Sequence, residues 1–190
     1  SAYLTSIKPG LQALIALLRR DYDYVSVLAT DSKGLAVRIS QRSKSVSSQT
    51  MTTERGVVVR VYRNGQYAEY AFNAFDPADP AAAAAEIRQA MDAQLALLQA
   101  NTVKTYETPI LPDEAQTLFV EKEAAELPEQ TDVKALVEKL GVISDKGVSL
   151  HENALDCMVS AQSTHICKMF LTEKRELCQS YVYSEGNLAL

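Results

Sequence analysis

Few side chains in this sequence have the types and spacing that metal, acid–base or nucleophilic chemistry requires. The two histidines and three cysteines are His151, His165, Cys157, Cys167 and Cys178. His151 and Glu152 begin like the His-Glu-x-x-His motif of zinc proteases, in which two histidines one helical turn apart bind the metal. Leu155 and Asp156 stand where the second histidine is needed, so the sequence does not predict this zinc site.

The cysteines and the second histidine also lack a reactive pattern. Zinc sites contain tight pairs such as Cys-x-x-Cys, whereas the three cysteines here are widely spaced, so we interpret them as small buried hydrophobic side chains. Ser163 lies two residues before His165, but no nucleophile turn surrounds the serine. No glycine-rich phosphate-binding loop is present either. The sequence therefore predicts no catalytic residue and no metal ligand in this chain.

One cluster of basic side chains is the remaining candidate for binding. Its members are Arg38, Arg42, Lys44, Arg55, Arg60 and Arg63. On alternating strand positions, Arg38, Arg42 and Arg60 could share an exposed face with serine and threonine side chains and bind an anionic or extended peptide. A solvated sheet face whose charges protect an edge strand is the alternative interpretation.

Composition and charge exclude several classes of protein. The chain has 190 residues, of which 47% are hydrophobic, and 24 acidic against 19 basic side chains give a net charge of −5. A disordered chain carries fewer apolar residues, and a generic nucleic-acid binder needs clustered lysine and arginine. No stretch approaches the roughly 20 apolar residues of a membrane-spanning helix. An odd number of cysteines and no visible signal peptide indicate a cytoplasmic protein.

The elements that would position these residues begin with a helix and a strand-rich region over residues 24–74. The apolar spacing over Leu4–Arg20 predicts an amphipathic helix, regular from about Pro9. A period of two then predicts a meander of five strands. These strands are Tyr24–Thr30, Leu35–Ile39, Ser45–Glu54, Val57–Tyr62 and Gln66–Asn73, with turns expected at Asp31–Gly34, Gly56 and Asn64–Gly65. Asn-Gly is the strongest short hairpin signal because both turn positions need a positive φ.

The second half of the chain predicts two further helices and a second strand unit. A helix over 79–100 begins with Asp79 as its cap and Pro80 in its first turn. A long connection over 101–131 follows, with a short helix at Asp113–Glu126, and then a helix over 132–140 that Gly141 ends. The second strand unit, 155–190, repeats the order of the first, with strands predicted at Leu155–Ser163, Ile166–Leu171 and Leu177–Tyr183. The fold class predicted is α+β, with a mostly antiparallel sheet of two meander units and amphipathic helices on one face.

Three features in this order resemble the N-terminal domain of the TldD/PmbA family, proteins once labelled modulators of DNA gyrase and now regarded as metallopeptidases. They are the valine-rich strand over 56–61 (GVVVRV), the turn at Asn64–Gly65 and the alanine-rich helix over 83–98. The sequence over 183–186 (YSEG) is similar to the family's Asn-Ser-Glu/Asp-Gly turn, so Glu185 and Gly186 are expected to form a turn. The sequence over 67–70 (YAEY) departs from the glycine and small residues common there in the family.

The resemblance implies that residues 1–190 are one non-catalytic N-terminal α+β domain, with the catalytic-type C-terminal domain outside this chain. The family's zinc motif lies in that later part, so no cofactor is expected here, and zinc is expected in a full-length active homologue. The parent protein would be a zinc metallopeptidase or its inactive partner subunit. The partners implied are the C-terminal domain, a second subunit of a homo- or heterodimer, and an unfolded peptide held as an added strand in the dimer cavity.

The sequence over 45–54 (SVSSQTMTTE) is the candidate strand for such a peptide. The predicted peptide-binding residues are Ser45, Ser47, Gln49, Met51, Arg38, Arg42 and Arg60. A stand-alone adaptor module for another protein is the alternative function. Nucleic-acid binding, which the old gyrase label suggests, is disfavoured by the net charge of −5.

Overall fold

The fold consists of three α-helices and seven strands in the described part of the chain. The computed structural model describes residues 1–50, 52–100, 109–110 and 112–190. The helices are α1 (Ala2–Leu18), α2 (Pro80–Ala100) and α3 (Val133–Ser149). The strands are β1 (Tyr24–Ile39), β2 (Lys44–Ser47), β3 (Arg55–Arg63), β4 (Gln66–Phe72), β5 (Gln116–Glu121), β6 (Met158–Leu171) and β7 (Arg175–Ala189). A 3₁₀ turn occupies Pro128–Gln130.

The strands form one mostly antiparallel sheet, so the predicted α+β class is confirmed. The order is β4-β3-β1-β6-β7-β5, and β2 pairs with β1 beside this path. β1 pairs antiparallel with both β2 and β3, and β3 pairs antiparallel with β4. No helix among the described residues has the length and apolar character to cross a membrane.

The chain divides by its internal contacts into two compact units. The first unit comprises residues 1–31, 55–120 and 167–179, and the second comprises 32–54, 121–166 and 180–190. β1, β5, β6 and β7 each contribute residues to both units.

The core of the first unit forms because one stripe on each of two helices and alternating strand positions are apolar. α1 buries its apolar face, and α2 packs its own apolar face against α1 and β4. Alternate residues of β1 and β3 complete the cluster, because successive strand side chains point to opposite faces. The buried residues at the centre are Leu11, Leu14, Leu18, Val25, Val27, Val57, Val59, Val61, Ile87, Met91 and Leu95.

The core of the second unit is smaller and lies under α3. Leu35, Val37 and Ile39 continue the alternation of β1, and Cys157 and Val159 join them in the same cluster. The apolar stripe of α3 packs on this cluster through Val133, Leu136, Val137, Leu140 and Val148. Asp132 caps α3 because its side chain accepts a hydrogen bond from the Ala135 amide at 3.0 Å.

The hairpin and helix-start signals agree with the structure. Asn64 and Gly65 join β3 to β4 with φ angles of 53° and 75°, which the type I′ turn requires. α2 begins at Pro80, and the Ala82 amide donates to the Asp79 carboxylate at 3.0 Å. Single residues with a strong backbone preference predicted these positions correctly.

The prediction that the regular helix starts near Pro9 is wrong, because α1 runs through Pro9 from Ala2 to Leu18. Proline lacks the N–H that would donate to the carbonyl of Thr5, but Thr5 is exposed, so water can replace that bond. The apolar face of the helix is buried on both sides of the proline.

The predicted turn at residues 31–34 is also wrong, because β1 continues through it. In the first unit, Asp31 is buried and pairs with Arg55, whose Nε donates to its carboxylate at 2.9 Å. In the second unit, the Ser32 amide donates to the Glu54 carbonyl at 2.8 Å, and the Glu54 amide donates to Ser32 Oγ at 2.7 Å. Polar residues typical of turns thus remain in a strand because partners distant in sequence satisfy them.

The predicted strand over 45–54 is shortened to β2. Thr50, after β2, forms other hydrogen bonds instead: its amide donates to Thr53 Oγ1 at 2.8 Å, and its hydroxyl lies 2.6 Å from that of Thr164 on β6. Gly56, predicted as a turn, lies inside β3 opposite Thr30 because the β1–β3 ladder extends to Arg55.

The last third of the chain differs from the prediction in three places. The short helix expected at 113–126 is the strand β5, and the helix expected to end at Gly141 continues to Ser149. The second strand unit consists of two long strands, β6 and β7, joined where the Thr172 amide donates to the Arg175 carbonyl at 3.0 Å. Glu185 and Gly186 lie within β7 rather than in a turn, because β7 continues beside β6 past them.

The two glycines of α3 give a matched pair of substitutions. A Cβ at Gly147 would lie 2.3 Å from Cys157 Sγ and 3.0 Å from its Cβ, whereas a Cβ at Gly141 would meet nothing within 4 Å. We expect G147A to lower the free energy of unfolding by about 1–3 kcal/mol through overpacking, and G141A to raise it by up to about 1 kcal/mol through helix propensity. Urea unfolding measures both, and a G147A variant as stable as G141A would contradict this packing.

Candidate peptide-binding surfaces

The edge strand β2 is the part of the predicted peptide site that the structure presents most openly. Among the described strands it pairs with β1 alone, and all four of its residues are exposed. Ser45 lies opposite Arg38, and Ser47 lies opposite Ala36. Directly opposite residues of an antiparallel pair share a face, so Ser45 and Arg38 face the same side of the sheet.

The ladder pattern determines which backbone groups of β2 point away from β1. The Ser40 amide donates to the Ser43 carbonyl at 2.8 Å, which makes these two residues a hydrogen-bonded pair. Hydrogen-bonded and non-hydrogen-bonded pairs alternate along an antiparallel ladder. Ser45 and Ser47 therefore direct their backbone groups toward β1, and Lys44 and Val46 direct theirs outward. Val46 is 50% exposed.

The other predicted residues of this unit surround β2. Arg42 is exposed in the loop that joins β1 to β2. Gln49 is exposed after β2, and its amide donates to Ser47 Oγ at 3.0 Å, so the Ser47 hydroxyl stabilises a local turn. Met51 lies outside the described residues.

Arg60 belongs to the first unit, on β3, and its side chain is already engaged. Its guanidinium lies 2.6 Å from the Glu69 carboxylate and stacks 4.7 Å from the centre of the Tyr67 ring. Arg60 and Glu69 line an open cavity of about 630 Å³ on this unit, together with Tyr24, Leu28, Val58, Tyr62, Ile110 and Phe170. The walls of this cavity are mostly apolar and aromatic, and they carry one ion pair.

Sequence reasoning missed a polar chain in the second unit that runs through His165. His165 Nδ1 lies 2.8 Å from the Glu129 carboxylate, and His165 Nε2 lies 2.8 Å from Ser180 Oγ. A carboxylate can only accept, so Nδ1 carries a proton, and in the neutral ring Nε2 accepts from the Ser180 hydroxyl. Ser163, two residues before His165 in the sequence, has its hydroxyl 2.9 Å from that of Ser184. The polar chain attaches the 3₁₀ turn to β6 and β7.

The electrostatics of Glu129 follow from these contacts. Burial acts to raise the pKa of Glu129, but the hydrogen bond from His165, a backbone hydrogen bond and the Coulomb interactions with His165 and Lys33 lower it below its ordinary value. The side chain is 26% exposed. No signal in the sequence around Glu129 identifies His165 as its partner or Ser180 as the partner of His165, because both residues lie on strands that follow Glu129 by dozens of residues.

The described residues do not provide a metal centre. They contain no group of three or more histidine, cysteine, aspartate or glutamate side chains arranged to hold an ion. His151 lies after α3 rather than on it, and its Nδ1 accepts from the Asn153 amide at 3.1 Å.

Comparison with known proteins gives matches among solved structures. A "putative modulator of DNA gyrase" from Bacteroides thetaiotaomicron is 13% identical with a TM-score of 0.66, covering 93% of this chain and 39% of its own. TldE from Thermococcus kodakarensis is 12% identical with a TM-score of 0.64, covering 94% and 39%. A "putative modulator of a DNA gyrase" from Thermotoga maritima is 14% identical with a TM-score of 0.63, covering 95% and 38%.

These matches confirm the predicted resemblance at the level of the fold. No protein-family model matches the sequence, and no curated protein does. The chain has the fold found in TldE and in the two gyrase-modulator structures, and it spans 38% to 39% of the length of those chains.

The hydrogen bond between Glu129 and His165 makes the stability of the folded protein fall as the pH is lowered. Because the pKa of Glu129 is lowered in the folded protein, its contribution is present above the ordinary glutamate pKa and is lost as pH falls through the folded value. We expect wild type to lose more stability than E129Q between about pH 7 and about pH 3 in urea unfolding. E126Q, which changes an exposed carboxylate in the same segment, serves as the control, and equal pH slopes for wild type and E129Q would contradict the assignment.

Proposed function

We propose that this chain is a non-catalytic domain of a TldD/PmbA-like protein that holds an extended peptide beside β2 and forms part of a cavity between two subunits. The observation that carries the proposal is the outward edge of β2, where Lys44 and Val46 direct backbone groups away from β1. The shared fold with TldE and the gyrase-modulator structures supports the family assignment.

Strand addition suits a binder that accepts many sequences. An added peptide hydrogen-bonds through its backbone, and side-chain pockets only modulate the choice. Beside β2, the guanidinium of Arg38 and the hydroxyl of Ser45 lie on one face, where they favour carboxylate or carbonyl groups of the peptide. The exposed Val46 lies on the other face.

The short length of β2 sets the expected affinity. Two outward residues offer up to four backbone hydrogen bonds, each worth about 0.5–1.5 kcal/mol net. That total is near the roughly 4 kcal/mol of a millimolar complex before ordering costs are subtracted. Binding to this chain alone is therefore weak, and the other walls of the cavity would supply the remaining affinity.

The rest of the proposed assembly lies outside this chain. The partners are its own C-terminal domain and a second subunit, and the chemistry on the peptide belongs to them. We place the protein in the cytoplasm on the evidence of its odd number of cysteines. No observation on the described residues favours the alternative of a stand-alone adaptor module.

A proline at Val46 tests the peptide site. V46P removes one of the two outward N–H groups of β2 and leaves the inward groups of Ser45 and Ser47 intact, and proline is tolerated on an edge strand. We expect V46P to weaken binding of an unfolded, isotope-labelled peptide at least threefold in an NMR titration. One of the four possible backbone hydrogen bonds is lost, and the geometry of the neighbouring hydrogen bond is disturbed. V46A keeps the N–H and is expected to bind within about twofold of wild type.

Two results would contradict the peptide site. One is a V46P variant that folds by circular dichroism and binds the peptide as tightly as wild type. The other is an equal loss in V46A, which would assign the effect to the side chain rather than to the backbone edge.

The described residues contain no group of three or more side chains that could hold a metal ion, which leads to a separate prediction for zinc. After incubation with zinc and desalting, we expect the 190-residue chain to retain well below one zinc per molecule, and a mixture of peptides to remain uncleaved in its presence. Elemental analysis and mass spectrometry measure the two quantities. One tightly held zinc per chain would show that the metal-binding part lies here.

A further inference from the structure

The strand β5 presents an apolar edge that the proposed peptide site does not use. All six of its residues are exposed. The exposed fractions are 48% for Leu118, 65% for Phe119 and 43% for Val120. β5 ends the strand order of the described sheet. An exposed edge strand with large apolar side chains is a template for pairing with another chain.

The hydrogen bonds of β5 show which of its residues face outward. The Gln116 amide donates to the Lys174 carbonyl at 3.1 Å, and the Lys122 amide donates to the Ser180 carbonyl at 2.9 Å. The constant offset makes β5 parallel to β7. In a parallel ladder, alternate residues bond to the neighbouring strand, so the even-numbered residues face β7. The backbone groups of Thr117, Phe119 and Glu121 therefore point outward.

We propose that β5 pairs antiparallel with β5 of a second copy of this chain. This deepens the proposed function, on whose second subunit it rests, by naming the contact. Outward residues must lie opposite outward residues, which allows only registers in which odd-numbered positions meet odd-numbered positions. A two-fold axis at Phe119 satisfies this rule and makes the interface self-complementary.

This register matches the side chains of β5 to one another. Phe119 lies opposite Phe119 of the second copy, and Leu118 lies opposite Val120 of the second copy on each side of the axis. The charged residues Glu121 and Lys122 meet Thr117 and Gln116 of the second copy, so no like charges are opposed. The apolar side chains of both copies become buried together, which supplies the driving force.

The expected strength follows from the size of the contact. A pair of six-residue strands lies at the small end of specific interfaces. We therefore expect a dimer of this chain with a dissociation constant on the order of 10–1000 μM. A longer protein would reinforce it through further contacts.

Sedimentation equilibrium of the 190-residue chain tests the proposal. Wild type is expected to shift from monomer to dimer across that concentration range. F119K is expected to weaken the dimer at least tenfold, because the two-fold axis places both lysines opposite each other. L97K changes an exposed leucine of α2, 73% exposed, and is expected to dimerise like wild type. A monomeric wild type, an F119K dimer as tight as wild type, or an equal loss in L97K would each overturn the proposal.

Cross-linking tests the register. An oxidised mixture of L118C and V120C chains is expected to form more disulfide-linked dimer than either variant alone, since positions 118 and 120 are opposed. Preferential cross-linking of L118C with itself would overturn the register. Peptide titration separates this contact from the peptide site, because F119K is expected to bind peptide like wild type and V46P is expected to dimerise like wild type.

Discussion

The alternation along β1 is the constraint on which the rest of this structure depends. The strand is 16 residues long, and its odd-numbered apolar residues belong to the cores of both units. Val25, Val27 and Ala29 lie in the cluster with α1 and α2, and Leu35 and Val37 lie in the cluster with α3. A slip of one residue would expose every one of these side chains. The register of β1 therefore fixes β3 through one ladder and β2 through another.

The uninterrupted course of β1 explains why β2 is available to a peptide. Ser32 binds Glu54 through both backbone and side chain, and Thr50 bonds to Thr53 and Thr164. These bonds hold the segment after β2 away from a regular ladder and limit β2 to four residues. The outward backbone groups of Lys44 and Val46 follow from the same register. The proposed peptide-binding edge is thus a consequence of how polar side chains around β1 are satisfied.

Local signals in the sequence predicted the elements whose cause is local. The apolar periods of α1 and α2, the caps Asp79 and Asp132, and the Asn64–Gly65 turn are each determined within a few residues. The mistakes occur where the cause is distant. Asp31 remains in a strand because Arg55 pairs with it, and β5 is a strand because it bonds to β7, whose residues come almost 60 positions later. Gly141 does not end α3 because the apolar stripe beyond it packs on the core.

The residue types of the candidate site can be recognised in the sequence, but the direction of its backbone groups cannot. Serine, valine and arginine at alternating positions indicated a half-exposed strand, but which backbone groups face outward depends on the pairing of Ser40 with Ser43. Amide hydrogen exchange with and without an unfolded peptide tests the central claim most directly. The account predicts that the peptide protects the amides of Lys44 and Val46, while Ser45 and Ser47, already bonded to β1, are unchanged. An unchanged exchange rate at the Val46 amide, with protection only at other amides, would contradict the account.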